Sequence, residues 1–196
     1  MSQASRTYAA AGVWSLIAHA VQLVGSVLLS VVIVRMMSVA ELGELALGRQ
    51  LTVLLAVAGS LALERTLVRF VPELAAKGSG GAARKLVLEL LRLRLVAGVV
   101  LAILAIVFRG ALAELVGIQD PTVVSVAAIA AIGYSFAAHV RGAANAWFAS
   151  RRVAQAAVLS VLLTFAATVA AVWAGYGVLA ILGIAALAMA VGAAWT

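Results

Sequence analysis

From Gly12 to Val34 the chain runs for 23 residues without a formal charge. A helix of that length spans about 34 Å, enough to cross the roughly 30 Å hydrocarbon core of a bilayer. Inside lipid every backbone N–H and C=O must be paired within the protein, which leaves only helices or a closed barrel. The other apolar runs are of similar length and lack the strict alternation of barrel strands. An all-α integral membrane protein with six transmembrane helices is therefore expected, with spans at about 12–34, 42–63, 87–108, 122–148, 154–174 and 178–196. Composition agrees: 66% of residues are hydrophobic and the mean hydropathy is +1.19, more than a soluble domain of 196 residues needs for its core. The first apolar run is too long for a signal peptide and no small-residue cleavage site follows it, so it reads as a retained helix.

The absence of cysteine excludes a disulfide framework and a thiolate metal site. A net charge of +7 raises the question of nucleic acid. Topology answers it. With the N-terminus on the cytoplasmic side, eleven of the fourteen Lys and Arg residues fall on that side, as the positive-inside rule requires. No nucleic-acid partner is expected. Arg109–Pro121 reads as an outer loop and Glu64–Lys85, with Pro72 and Gly78-Ser79-Gly80-Gly81, as a large cytoplasmic one. Arg92 and Arg94 read as side chains snorkelling from the third span toward the interface. Lys85, Glu89 and Arg92 read as a salt-bridged helical face.

Polar residues inside the spans are the candidates for function. Ser15, His19, Gln22, Ser26 and Ser30 of the first span fall within an arc of roughly 80° on a helical wheel. They either line a water-filled path or bond to neighbouring helices. Arg49 in the second span and Arg141 in the fourth are costly in lipid, about 2.5–3.5 kcal/mol each at a helix centre, and such residues usually face a cavity. Tyr134, Arg141 and Asn145 share one helix face, with His139 nearby. Guanidinium groups suit phosphate oxygens, and His19 is placed to accept a proton near neutral pH. Arg65, Arg69, Lys77, Arg84 and Lys85 form a cytoplasmic basic patch, read first as membrane anchoring and anionic-lipid contact. Ser160, Thr164 and Thr168 read as helix-packing residues.

Several stretches resemble the N-terminal half of Wzx-type polysaccharide or O-antigen flippases of the MOP (MATE-like) exporter superfamily. Arg35-Met36-Met37-Ser38-Val39-Ala40-Glu41-Leu42-Gly43 resembles that family's turn between helices 1 and 2, with Val39 where proline is usual. Arg69-Phe70-Val71-Pro72-Glu73 resembles the entry to its first large cytoplasmic loop, and Arg141-Gly142 and Gly175-Tyr176-Gly177 are weaker echoes. The resemblance implies that residues 1–196 are one six-helix lobe of a two-lobe transporter. The second lobe, or a second copy in a homodimer, would then complete the central cavity by standing opposite the polar stripe of the first span. It implies a multi-pass protein of the bacterial inner membrane that moves a lipid-linked oligosaccharide by alternating access, with no cofactor and a glycan polymerase as possible partner.

Three other classes compete with this reading. A cation-coupled multidrug exporter of the same superfamily prefers an intramembrane carboxylate, whereas Glu41, Glu44, Glu64, Glu73, Glu89, Glu114 and Asp120 lie in turns or near helix ends. A membrane-embedded transferase wants clustered acids for metal-assisted phosphoryl chemistry, and these are scattered; neither an enzyme nor a metal site is expected. A non-transporting partner in a glycan-assembly complex would be indifferent to Arg49 and Arg141.

Overall fold

Long apolar segments punctuated by brief polar turns dictate a bundle, and the computed structural model, which describes residues 3–61, 63–147 and 150–195, is one. Among the described residues there are eight helices and no strand. They are α1 (Gln3–Met36), α2 (Val39–Ser60), α3 (Leu63–Ala76), α4 (Gly80–Val107), α5 (Arg109–Val116), α6 (Pro121–Ala146), α7 (Ser150–Trp173) and α8 (Val178–Ala194). Five segments are long and apolar enough to cross a membrane by length and composition: Gly12–Met36, Val39–Ser60, Gly80–Val107, Pro121–Ala146 and Arg151–Trp173. Helix α8 is as apolar but has 17 residues, about 26 Å. The protein is thus an all-α, multi-pass membrane protein with five such spans among the described residues.

Two stretches expected as loops are helical. Leu63–Ala76 forms α3, with Pro72 inside it. Leu67 and Val71, one turn apart, are fully buried against Ala83 and Ala146 while the charged face stays outside. Arg109–Val116 forms α5, ending at Gly117 in the left-handed conformation. Helix α4 starts at Gly80, seven residues before the expected span, because Lys77–Ser79 is all the turn that α3 and α4 need. The expected ends at Phe148 and Thr196 lie outside the described residues.

The helix ends follow from local sequence. Ser38 caps α2 reciprocally: its Oγ accepts from the Glu41 N–H at 3.3 Å, and Glu41 Oε2 accepts from the Ser38 N–H at 2.8 Å. Asp120 caps α6, accepting the Thr122 N–H at 2.8 Å ahead of Pro121 in the first turn. The Asp120 N–H in turn donates to Glu44 Oε1 at 3.0 Å, tying the α5–α6 turn to α2.

Burial is inverted relative to a soluble protein. Leu16, Leu23, Val57, Val96, Leu162 and Leu187 are among many large apolar side chains left exposed, and alanines dominate the interior. Lipid is as apolar as leucine, so nothing is gained by hiding large side chains, and small ones let helices approach. Helix α6 is the central post, packed by α8, α4, α2 and α3; α1 packs mainly on α7, α7 also on α8, and α1 touches α2 only sparingly. Gly48 marks a close approach of α2 to α6 and α8: an added Cβ would stand 2.8 Å from Leu182 and 2.9 Å from Val123.

Candidate functional site

Five helices leave a cavity of about 540 Å³ between them, within the roughly 300–1,000 Å³ range of small-ligand sites. Its polar side chains come from Gln22, Ser26 and Ser30 on α1, Arg49 and Thr52 on α2, Tyr134 and Arg141 on α6, and Ser160 and Thr164 on α7. Helix α8 adds only apolar wall, including Leu182 and Met189. On α6 the lining runs from Ala130 to Arg141, about 16 Å of helix, so the cavity is elongated along the bundle. The wall across from the α1 stripe comes from this same chain.

The two arginines differ in their ties. Arg141 Nε donates to the Ala137 carbonyl at 3.3 Å, one turn back on its own helix, which holds the side chain along α6 and leaves the terminal nitrogens to the cavity. Arg49 is half-buried, within electrostatic reach of Tyr134, and its guanidinium makes no hydrogen bond or ion pair among the described residues. None of the described residues lining the cavity carries a carboxylate. Buried charge without a counter-ion is costly. Two guanidinium groups on a partly apolar wall therefore make a site that gains most from an anion. Among the described residues no three His, Cys, Asp or Glu side chains gather as metal ligands would.

The sequence candidates thus divide. Gln22, Ser26, Arg49, Tyr134 and Arg141 share the cavity. His19 and Asn145 are exposed and lie outside its lining, and the side chain of Ser15 lies outside the described residues. His139 is not a neighbour of Arg141 in the cavity; it is buried on the opposite side of α6, its Nε2 3.1 Å from the Val87 carbonyl. Ser160 and Thr164 line the cavity as well as packing, whereas Thr168 is fully buried. Ser160 Oγ donates to the Ala156 carbonyl at 2.8 Å.

The basic patch is exposed on α3, its following turn and the start of α4. Arg69 stacks over Phe70 at 5.2 Å, and Lys77 pairs with Glu73 at 2.7 Å. That hydrogen bond holds the Glu73 carboxyl below its ordinary range, with the Lys77 charge reinforcing it. Of the expected α4 face, Arg92 pairs with Glu89 at 3.4 Å.

Arg94 does not snorkel. It is 2% exposed, its Nε donates to Ser135 Oγ at 2.7 Å and its Nη2 pairs with Glu64 at 3.0 Å. The signal was present: Arg94 falls within about 80° of arc with Ala83, Val87, Leu90, Gly98 and Ala105, the face that packs inward, whereas Arg92 points the other way. Comparison of the chain with protein-family models, with curated proteins and with solved structures returned no match.

Proposed function

We propose that this protein is a flippase for a lipid-linked oligosaccharide, working by alternating access in the bacterial inner membrane with its N-terminus in the cytoplasm. In this reading α8 is a sixth span, the chain is one lobe of a MATE-like transporter, and a second lobe or a second copy faces it. The observation that carries the proposal is a cavity with Arg49 and Arg141 on its walls and no carboxylate among its described lining residues. Guanidinium pairs recognise phosphate oxygens in bidentate fashion. The hydroxyl and amide groups of Ser26, Gln22, Thr52 and Tyr134 suit sugar hydroxyls. The cargo is therefore an anionic, sugar-bearing head group, its apolar tail left in lipid. Sparse contact between α1 and α2, which both line the cavity, supplies a seam through which such a tail can trail into the bilayer.

A cationic drug is the poorer cargo, since two arginines repel it and no lining acid attracts it. The test is glycan export in cells carrying Arg141→Ala, with membrane abundance followed in parallel. Export falls while abundance is unchanged; normal export in that variant removes the cavity from the transport path.

A further inference from the structure

A second polar cluster lies on the face of α6 turned away from the cavity, beneath α3. Arg94 from α4 and His139 from α6 are 2% and 1% exposed, and Ser135 beside them is buried too. Arg94 spans Ser135 and Glu64, so three helices are fastened by one guanidinium. A carbonyl only accepts, so His139 Nε2 carries the hydrogen it shares with Val87, and Nδ1 presents a bare lone pair. His139 Nδ1 and Arg94 Nη1 are both buried without a hydrogen-bond partner. Native proteins rarely leave two such atoms together without a reason.

We propose that His139 is a proton-binding site and that protonation of its Nδ1 releases the Arg94–Glu64 clasp, freeing α3 from α4 and α6. With His139 neutral, Arg94 and Glu64 balance one another and the cluster carries no net charge. A proton on Nδ1 puts a second cation beside Arg94 where one carboxylate serves both. A net charge in a dry interior is costly, and the cheapest relief is water. Glu64 is the exit: its side chain is half exposed, and the rest of α3 is held by the apolar packing of Leu67, Val71 and Leu74. Among the described residues the ionisable groups that act on His139 are Arg94 and Glu64. Helix α8 carries none, the α2 arginine lies in the cavity, the α5 charges sit at the far end of α6, and Arg151 and Arg152 of α7 are exposed. The inference is independent of what the cavity transports.

The experiment uses the full chain in lipid nanodiscs with His19→Gln, so that His139 gives the only histidine signals and the cluster is untouched. Nitrogen NMR of the ring is followed from pH 8 to pH 5 alongside amide exchange in residues 63–76, corrected for intrinsic pH dependence. The expected result is an Nε2–H tautomer at pH 8, one protonation at Nδ1, and exchange rising at least tenfold through the same midpoint. His139→Gln then holds exchange at its high-pH value throughout. A ring that stays neutral to pH 5, or that titrates without any change in α3 exchange, overturns the proposal. So does a His139→Gln protein that keeps the pH dependence.

Discussion

Arg94 and Arg141 stand on neighbouring apolar helices and have opposite fates. Arg94 has a hydroxyl and a carboxylate waiting for it and is sealed; Arg141 has only its own backbone and faces a cavity. For cavity arginines we expect Arg49→Ala and Arg141→Ala each to slow transport roughly 10- to 100-fold, the ~1.5–3 kcal/mol of a charge-assisted hydrogen bond. For Arg94 the prediction concerns its partner. Glu64→Ala leaves a buried guanidinium without its carboxylate and should cost about 2–3 kcal/mol of stability, less than a fully buried pair because Glu64 is half exposed. Arg94→Met, apolar and of similar length, should cost less than half as much, since Glu64 then hydrates; thermal unfolding in detergent gives both values. The cavity arginines were legible because a charge in mid-span has few explanations. Arg94 was missed because Arg92 two residues away suggested an interface, although Arg94 shares the arc of the small and inward-packing residues of α4; what the sequence could not supply is its partners, Glu64 on α3 and Ser135 on α6.

Helices were legible where their physics is local. The apolar spans are length rules; the Ser38–Glu41 box starts α2 at Val39, three residues before the expected span, and Asp120 starts α6 at Pro121, which was expected in the loop. Helix α3 escaped because Pro72 and its charges read as a loop, although Leu63, Leu67, Val71 and Leu74 recur at helical spacing. Asp120 gives a pH prediction. The Thr122 backbone N–H, with its side chain and Arg109 adding to it, holds the Asp120 carboxyl below its ordinary value. Its capping contribution is therefore complete above the unfolded-state pKa and is lost as pH falls through the lower folded-state value. Asp120→Asn should flatten the thermal midpoint across that acid range relative to the unmodified protein; equal slopes would refute the cap. Helix packing gives another. A side chain at Gly192 would collide with Ser160 and stand 3.0 Å from the Ala156 carbonyl, whereas Gly183 has nothing within 4 Å. Gly192→Leu should cost about 1–3 kcal/mol and Gly183→Ala close to nothing, read as the recovery of folded protein from membranes.

For the whole molecule, hydropathy conveyed class, span positions and the polar stripe of α1, but not which helices would stand around it. That depends on side-chain fit, such as the approach of α2 to α6 and α8 at Gly48, which no periodicity encodes. The stripe proved to be divided: Gln22, Ser26 and Ser30 meet the cavity while His19 does not. The central claim is that this cavity is wet and cationic. The absence of cysteine makes it directly measurable. Ser26→Cys and Thr164→Cys proteins in membranes are labelled with anionic and with cationic methanethiosulfonate reagents, each rate normalised to a free thiol in solution, with Leu23→Cys as the lipid-facing control. Both cavity positions should react where Leu23→Cys does not, with the anionic reagent faster by about tenfold and that preference lost when Arg49→Ala and Arg141→Ala are added. Cavity positions as inert as the control, or labelled without regard to charge, would contradict the account.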